Sequence, residues 1–561
     1  GGGDINYSGR DMVSWSFRKA PKFFDIVTYT GDGNGTDRTI SHNLGSVPGC
    51  VIVKRLNGSG DWYVYHRGLN VSGAAPEDQF LTLQGTDQGY NSPYAWNDTA
   101  PTATDFTVRT VISNVSGATY VAYLWAHNDG DGEFGSTGDQ DIIKCGNFVT
   151  DGGGIADVDL GFEPQWIIAK KINESSDWEM FDSMRGWVNS TTDNLDFMLR
   201  ANTTASEYSG FDNRGHPTSN GFRWQYTSND TYVYIAIRRG PMAVPTSASD
   251  VFDVFEQTGG NGVGYSTVSS TEPPFPIDFF LHKWHKSNRE WDVMDRLRGR
   301  TKFLQTNGTN AEANEPGWLD GIDRMQGYAT GSNGGVFYGT TDTIGYFWKR
   351  APSYFDVVAY TGTGSNRTVS HNLGAVPEMM WVKSRNATRS WSVFHSALGP
   401  TKGGLGLNLT SAASTDSTVW NDTSPTSTVF TVGTYGNVNT SNNTYIAYLF
   451  ATAVGVSKVG SYSGNGGTSA NGNGQDINCG FSNGARFVII KATNADDNWF
   501  VYDTTRGIVA GNDATLQLNL TSAQSATSDE IDPLSSGFRI LNQNNQLNRT
   551  GRDYIFYAIA A

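Results

Sequence analysis

The sequence lacks several features that would place it in a familiar functional class. No apolar run approaches the roughly 18 residues that a membrane-spanning helix requires. Only 17% of the residues are charged, the formal net charge is −15, and Lys and Arg form no cluster that could bind phosphate groups. The sequence therefore predicts neither membrane insertion nor nucleic-acid binding.

Cysteine is almost absent, and helix-forming segments are scarce. The three cysteines, Cys50, Cys145 and Cys479, are odd in number and far apart, which argues against a disulfide framework. Gly is abundant, with 66 residues, and so are Thr, Ser, Asn, Val and Tyr, which is typical of strands joined by tight turns. A chain of 561 residues is also too long for a single core, so several domains are expected.

One signature occurs five times and indicates an internal repeat. It consists of Trp, two residues, a large apolar residue and then His or Asp. The copies occupy residues 62–66, 178–182, 291–295, 391–395 and 499–503. An apolar strand that commonly ends in Lys precedes each Trp, and an aromatic strand closes each unit. Because the three markers keep a constant order, the repeat is not a chance similarity.

Detailed similarities between the copies place the boundaries of five homologous units. The first copy resembles the fourth and the second resembles the fifth, which gives the order A-B-C-A-B. The units are residues 22–127 (type A), 128–240 (type B), 241–350 (type C), 351–452 (type A) and 453–561 (type B). Residues 12–21 match the end of the third unit. Residues 1–21 are therefore interpreted as the end of a truncated type C unit, and the chain is expected to be a segment of a longer polypeptide.

The predicted fold class is all-β. Residues 24–29 alternate between apolar and polar, which is typical of half-buried strands. Several short strands within ~110 residues favour a β-sandwich (jelly-roll-like) unit, and therefore a tandem array of about five sandwiches. Short junctions predict a stiff rod or a folded-back stack, and aromatic strands of low charge predict oligomerisation. The residues expected to fill the sandwich interiors are Trp62, Trp178, Trp291, Trp391 and Trp499.

Candidate catalytic residues are few. Residues 530–535 come closest to the Glu-x-Asp-x-x-Glu pattern of sandwich glycosidases, but they lack the second Glu and contain Pro533. The sequence contains no phosphate-binding loop, no Gly-x-Ser-x-Gly elbow and no Cys-x-x-Cys pair. No catalytic residue is predicted, and the chain is not expected to be an enzyme.

Candidate metal ligands have structural interpretations that fit at least as well. The signature residues His66 and His395 are replaced by Asp in the other units, which favours a polar residue that closes a strand. His42 and His371 are a second repeated pair. The acidic residues between 129 and 141 could form a calcium loop, yet the equivalent residues 463–467 carry no acid, which favours a solvated turn. Neither a metal site nor a cofactor is predicted.

Binding residues cannot be assigned from the sequence. Trp187, Trp318 and Tyr90 lie outside the signature and could stack on sugar rings, although a single aromatic residue more often belongs to a core. Nineteen Asn-x-Ser/Thr sequons occur, Asn519 among them. In a chain so rich in Asn and Thr, they favour turn chemistry over glycosylation.

Two longer motifs carry a resemblance to a known family. Ser-His-Asn-Leu-Gly-x-Val-Pro occupies residues 41–48 and 370–377, and Trp-Asn-Asp-Thr occupies residues 96–99 and 420–423. With the Val-Lys and Trp signatures, they resemble a domain of unknown function repeated in large tail-fibre and virion-associated proteins of marine and cyanobacterial bacteriophages. The second, third and fifth units lose the first motif, so they match only in part. The resemblance implies a concanavalin-like or related sandwich and supplies no catalytic residues.

The expected function is therefore structural and adhesive, on a phage tail fibre or capsid-associated fibre at the virion surface. The expected partners are copies of the chain, other virion proteins and host surface polysaccharide, but neither nucleic acid nor a membrane. A bacterial or archaeal surface adhesin or filament is the alternative, and a glycan-degrading enzyme is the second alternative.

Overall fold

A computed structural model describes most of the chain, which is built almost entirely of strands. The described residues are 12–34, 38–109, 112–135, 138–189, 196–211, 214–257, 273–299, 301–315, 319–322, 326–330, 342–467, 474–541 and 546–561. Among them, α1 (Ser417–Trp420) and α2 (Gly436–Asn439) are helical, and none of the helices found there could span a membrane. Short 3-10 turns cover Val71–Gly73, Pro76–Asp78 and Ala248–Asp250.

In the residues that the structure describes, the first two units contain seventeen strands. Those of the first unit are β1 (Phe24–Thr30), β2 (Arg38–Ser41), β3 (Pro48–Arg55), β4 (Trp62–His66), β5 (Gln79–Thr82), β6 (Tyr90–Asn91), β7 (Asp105–Val108) and β8 (Thr119–Ala126). Those of the second unit are β9 (Ile143–Val149), β10 (Ile155–Asp159), β11 (Pro164–Lys171), β12 (Trp178–Asp182), β13 (Asp196–Arg200), β14 (Tyr208–Phe211), β15 (Gly215–Thr218), β16 (Gly221–Gln225) and β17 (Thr231–Arg238).

The other three units follow the same pattern. The strands of the third unit are β18 (Phe252–Gln257), β19 (Phe279–Lys283), β20 (Trp291–Asp295), β21 (Lys302–Gln305), β22 (Ala313–Asn314), β23 (Leu319–Gly321), β24 (Ala329–Thr330) and β25 (Thr343–Trp348). Those of the fourth unit are β26 (Phe355–Thr361), β27 (Arg367–Ser370), β28 (Met379–Ser384), β29 (Ser392–His395), β30 (Val429–Val432) and β31 (Thr444–Phe450). Those of the fifth unit are β32 (Ser457–Ser463), β33 (Gln475–Asn478), β34 (Ala485–Ala492), β35 (Trp499–Asp503), β36 (Asp513–Gln517), β37 (Ser525–Ser528), β38 (Ile531–Leu534), β39 (Gly537–Ile540) and β40 (Asp553–Ala560).

Each unit has one larger antiparallel sheet with the same central arrangement. The orders are β1-β8-β3-β4-β5-β6, β9-β17-β11-β12-β13-β14, β18-β25-β19-β20-β21-β22, β26-β31-β28-β29 and β32-β40-β34-β35-β36-β37. The last strand of every unit thus lies between the first strand and the strand that ends in Lys. Separate small sheets are β2-β7, β10-β16-β15, β23-β24, β27-β30 and β33-β39-β38. The prediction of an all-β array of sandwich units is confirmed.

Both faces of the larger sheet are buried, as β28 shows. Met380 and Val382 lie in a core with Phe430 of the small sheet. The alternate residues Met379 and Trp381 belong to a different core on the opposite face. Because successive side chains of a strand lie on opposite faces, each larger sheet has one face for its own unit and another for its neighbours. The half-buried pattern expected from residues 24–29 does not extend to these central strands.

The prediction that the signature tryptophans fill the sandwich interiors is wrong. Trp391 is only 1% exposed, but it lies in the core on the outer face of its sheet. Phe394, three residues later and therefore on the opposite face, lies in the interior. There its ring is 5.9 Å from that of Trp420, and Trp420 fills the interior position expected for the signature tryptophan.

The outer faces of the third, fourth and fifth sheets share one continuous core, and we call these three units the closed trio. Aromatic rings meet across all three pairs of units, at centroid distances of 5.4 Å for Phe279 and Phe355, 5.5 Å for Trp348 and Phe487, and 4.9 Å for Phe450 and Tyr557. The first and second units share a separate core, and we call them the open pair. Three units therefore surround a common centre instead of following one another in line.

Candidate functional site: contacts between the units

Four signature tryptophans donate their indole N–H to a backbone carbonyl of another unit. The bonds run from Trp178 to Thr82 (3.0 Å), from Trp291 to Gln517 (2.9 Å), from Trp391 to Gln305 (2.8 Å) and from Trp499 to Gly406 (3.1 Å). Within the closed trio, the third unit donates to the fifth, the fifth to the fourth and the fourth to the third. The three bonds therefore complete a circle, and each buried indole has the acceptor that it requires.

The lysine at the end of each apolar strand follows the same circle. Its ammonium group donates to a threonine carbonyl, from Lys170 to Thr86 (3.1 Å), from Lys283 to Thr521 (2.7 Å), from Lys383 to Thr309 (3.2 Å) and from Lys491 to Thr410 (2.9 Å). Burial lowers the pKa of each of these four lysines to about 8. Because burying an ammonium group costs free energy, we infer that these lysines set the register between neighbouring units.

The acceptor carbonyls lie in a segment that the three sequence signatures do not include. Its middle residue is an Asn or Gln whose side chain accepts the backbone N–H of that unit's own signature tryptophan. These bonds join Gln84 to Trp62 (2.8 Å), Asn202 to Trp178 (3.0 Å), Asn307 to Trp291 (3.0 Å), Asn408 to Trp391 (3.0 Å) and Asn519 to Trp499 (2.9 Å). The carbonyls that accept from the indole and the lysine belong to residues two before and two after it.

This acceptor segment was visible in the sequence as an Asn/Gln-x-Thr step after every signature tryptophan. The Asn or Gln follows the Trp by 22, 24, 16, 17 and 20 residues in the five units. Four of the five steps are also sequons, Asn519 among them, and the sequence alone does not distinguish them from general turn chemistry. The variable spacing hid a fourth repeated element.

The last residue of the signature closes its strand and also reaches the neighbouring unit. The Asp295 carboxylate accepts the backbone N–H of Arg298 (2.8 Å) and the hydroxyl of Tyr448 in the fourth unit (2.7 Å). Asp503 in the fifth unit likewise accepts the hydroxyl of Tyr346 in the third unit (2.8 Å). One carboxylate thus joins a local turn to a contact between units.

Histidine takes this position in the type A units. His66 Nδ1 accepts the N–H of Gly68 (3.1 Å), and its Nε2 lies 2.9 Å from the carbonyl oxygen of Tyr234 in the second unit. Burial lowers the pKa of His66 to about 4, so the imidazole is neutral and Nε2 is the donor. His42 Nδ1 accepts the N–H of Leu44 (3.2 Å) in the same way. Both histidines are used for backbone hydrogen bonds.

The first unit presents the same groups, but no other unit in the described part of the chain receives them. Trp62 and Tyr123 are partly exposed, and no described residue accepts a hydrogen bond from the Trp62 indole. Lys54 donates to the carbonyl of Gly60 within its own unit. Trp62 and Tyr123 border an open cavity of about 300 Å³, whose walls include Leu83 and Trp125.

A buried charge cluster joins the second unit to the closed trio. Arg350 donates to Glu163 (2.5 and 2.8 Å) and to Asp356 (2.8 Å). Arg239 lies 3.3 Å from Glu163 and 3.4 Å from Asp356. Burial opposes ionisation of Asp356, but the two guanidinium groups hold its pKa below the usual range. Because losing one partner would leave a buried charge uncompensated, the cluster fixes how the open pair meets the trio.

The sequence-predicted glycosidase candidate is used for structural bonds. Glu530 is 3% exposed and accepts the hydroxyl of Tyr502 (2.9 Å). The backbone N–H groups of Glu530 and Ile531 donate to the carboxylate of Asp513 (2.8 and 2.9 Å). Burial raises the pKa of Asp513 to about 6. These carboxyl groups hold a turn between β36 and β38.

The acidic loop near residue 130 is organised by lysines and backbone N–H groups. Asp141 accepts the N–H groups of Gly130 (2.8 Å) and Gly132 (2.9 Å). Lys144 lies 3.6 Å from Asp129, on the border of the loop. In the described part of the chain, no group of three or more His, Cys, Asp or Glu residues could hold a metal ion.

The aromatic candidates for sugar binding divide into three cases. Trp187 is 1% exposed and donates its indole N–H to Gly215 (3.2 Å), so it belongs to a core. Tyr90 is 43% exposed and stacks on Phe80, with ring centroids 5.4 Å apart. Trp318 lies outside the described residues.

Comparison with known families relates the chain to one family. The family model described as "Domain of unknown function (DUF7483)" matches residues 2–241 and 247–561. The chain belongs to the DUF7483 family. The second matched segment of the DUF7483 chain contains the closed trio from residue 247 onward, and the first contains the open pair together with residues 12–21. No curated protein matches the chain.

Proposed function

We propose that the DUF7483 chain is a structural and adhesive component of a phage virion appendage, a tail fibre or a capsid-associated fibre. One observation carries the proposal: the repeated residues form contacts between units. Trp, Lys and the Asn/Gln-x-Thr step bond in one direction around the trio. Such contacts suit a rigid building block, which we propose assembles with its own copies and with other virion proteins into the appendage.

The adhesive part of the proposal is supported by exposed aromatic side chains on the first unit. Tyr90 is 43% exposed and Tyr94 is 51% exposed. The guanidinium of Arg109 lies 5.5 Å from the centre of the Tyr94 ring. Aromatic faces beside polar groups suit the stacking and hydrogen bonding of a host surface polysaccharide. We propose no catalytic residue, cofactor, nucleic-acid partner or membrane insertion for this chain.

A cell-surface adhesin or filament of a bacterium or archaeon is the second candidate. The same directional contacts favour it, because stacked units joined by a buried charge cluster would also serve a surface filament. A glycan-degrading enzyme ranks third, since Glu530 and Asp513 already serve structural bonds. Release of reducing sugar from host polysaccharide that is abolished by Glu530→Gln would support the enzyme as the function instead.

Fractionation of a producing culture tests the proposal directly. The culture is separated into cell envelope, secreted protein and nuclease-resistant particles banded by density, and peptides of the chain are counted by mass spectrometry. If the chain is a virion component, we expect its peptides in the particle band, in a fixed ratio to capsid peptides. Peptides concentrated in the cell envelope would overturn it in favour of the surface filament.

A further inference from the structure

We propose that the cavity on the open pair is the docking site of a type C unit, joined to the pair through residues 15–20. The inference does not depend on the virion role. It rests on the comparison of the open pair with the closed trio, in which the same two unit types already surround a type C unit. The proposed occupant is therefore a unit with the chemistry of residues 241–345, and it precedes the pair in the same polypeptide.

The first argument is that residues 15–20 already lie where the end of the third unit lies in the trio. The indole of Trp15 donates to Asp182 of the second unit (3.3 Å), just as the hydroxyl of Tyr346 donates to Asp503 of the fifth unit (2.8 Å). The bridge between Ala20 and Phe24 likewise repeats the one between Ala351 and Phe355. Residues 15–20 therefore fill the position of one strand of the proposed unit.

The second argument is that the first unit presents groups whose counterparts bind a type C unit in the trio. Trp391 donates to Gln305, and Lys383 donates to Thr309. Tyr448 donates to Asp295. All three acceptors belong to the third unit. Their counterparts on the first unit, related by the repeat, are Trp62, Lys54 and Tyr123.

The third argument is the change in burial between the two sites. Trp391 is 1% exposed and Tyr448 is 0% exposed, whereas Trp62 and Tyr123 are only partly buried. Phe279 of the type C unit covers Tyr448 in the trio, at a ring distance of 4.7 Å. An aromatic cavity thus lies where the trio has a type C strand, and no described residue accepts from the Trp62 indole on its border. A partner that lacked an acceptor carbonyl there would leave this donor unsatisfied.

The second unit supplies the other half of the expected contact. In the fifth unit, the carbonyls of Gln517 and Thr521 accept the indole and the ammonium group of the type C unit. The repeat places Arg200 and Thr204 at these positions in the second unit, around Asn202. The Thr of the acceptor segment is therefore present in the second unit as well, where the proposed unit would donate to it.

A fusion chain tests the proposal. Residues 1–14 are replaced by a second copy of residues 241–345, so that the residue after the copy is Trp15, the counterpart of Tyr346. Hydroxyl-radical footprinting with mass spectrometry then measures labelling of Trp62 and Tyr123. We expect both rates to fall to those of Trp391 and Tyr448 in the same molecule. Tyr90 is exposed in both chains and should label equally.

A matched fusion carries Phe279→Glu in the added copy only. Phe279 lies in the core between units and not in the interior of its own sandwich, so the substitution leaves the added unit able to fold. In this control Trp62 should remain labelled. The proposal is overturned if the first fusion folds and Trp62 still labels as fast as in the original chain.

A second measurement uses the original chain and holds even if a fusion fails to fold. Footprinting is repeated over a wide range of protein concentrations, beside sedimentation velocity. We expect Trp62 to label at the same rate throughout, because the type C unit of every copy is already held in its own trio. Protection of Trp62 that grows with concentration, together with a species of doubled mass, would assign the cavity to a second copy and overturn the proposal.

Discussion

At the scale of single residues, the contacts between units depend on a few directional bonds at fixed positions. Each donating unit contributes an indole N–H and an ammonium group, and each accepting unit contributes two backbone carbonyls. Because the first unit contains the same residues without an accepting unit among the described residues, it provides a natural control for substitutions in the trio. A substitution in the fourth unit can thus be matched by the same substitution in the first.

Replacing Trp391 with Phe tests the indole bond. We expect Trp391→Phe to lower the free energy of unfolding by about 1–3 kcal/mol, because the carbonyl of Gln305 loses its donor at the contact between units and apolar contact is reduced. Trp62→Phe should cost less than about 0.5 kcal/mol, because its indole is partly exposed and has no acceptor among the described residues. Denaturant unfolding followed by circular dichroism measures both. Equal losses would contradict the assigned contact.

Replacing Lys383 with Met tests the buried ammonium group through pH. Burial lowers the pKa of Lys383 from 10.5 to about 8. Between these values the unfolded chain binds more protons than the folded chain, so this residue's contribution to stability rises with pH and is lost as pH falls through 8. The variant lacks that contribution.

We therefore expect the difference in melting temperature, Lys383→Met minus the parent, to become steadily more negative from about pH 8 to pH 10. Differential scanning calorimetry across this range measures the difference. Lys54→Met is the control, because among the described residues Lys54 bonds only within its own unit. The pH trend that Lys383→Met shows beyond this control is due to the burial of Lys383. A difference that stays constant with pH would contradict the burial of Lys383.

At the scale of elements, the acceptor segment and the two-faced sheet determine how the units meet. The segment around Asn408 holds the backbone of Trp391 from one side and presents its carbonyls to the fifth unit from the other. One turn therefore links the edge of a sheet to the neighbouring core. Loosening this turn should affect two units at once.

The substitution Asn408→Ala tests this link. We expect a loss of about 1–2 kcal/mol in unfolding free energy, because the buried N–H of Trp391 loses its acceptor. Hydrogen exchange should accelerate both at Trp391 and in β35 of the fifth unit, whose tryptophan bonds to Gly406. Asn91→Ala, at an exposed position of β6, serves as the control. Acceleration confined to the fourth unit would show that the segment does not couple the units.

The sequence predicted the strands and the repeat but not which face of each strand would meet which core. Residues 379–382 read Met-Met-Trp-Val, an apolar run that is compatible with burial on either side. The small sheet covers the face of the larger sheet that carries Phe394, and this places Trp391 on the opposite, outer face. In β1 the half-buried pattern holds, because the outer face of the first unit is open: Ile26 is 41% exposed, whereas Val357 at the same position of the fourth unit is 1% exposed. Pairing between distant segments, which decides such questions, has no local signal.

At the scale of the whole molecule, the three units of the closed trio depend on one common core. Phe487 of the fifth unit packs against Phe252 and Trp348 of the third, at ring distances of 5.3 and 5.5 Å. Stability is therefore expected to be shared across the trio and not to be the sum of independent sandwiches. The sequence could not predict this closure, because a repeat fixes the number of units but not their arrangement in space.

The substitution Phe487→Ala tests the shared core. We expect a loss of about 3–5 kcal/mol and faster hydrogen exchange in the third and fourth units as well as in the fifth. Phe222→Ala removes a phenyl ring of the same size from the interior of the second unit. Its effect on exchange should remain within that unit. Exchange that changes only in the fifth unit of Phe487→Ala would indicate separate domains.

The most direct test of the account is hydroxyl-radical footprinting of the five signature tryptophans in the intact chain. Contacts between units predict that Trp178, Trp291, Trp391 and Trp499 are all protected, while Trp62 is labelled at a rate set by its open cavity. If the tryptophans instead filled five equivalent sandwich interiors, all five would be protected alike. Equal protection of Trp62 in a monomeric chain would contradict the central claim that these residues join one unit to the next.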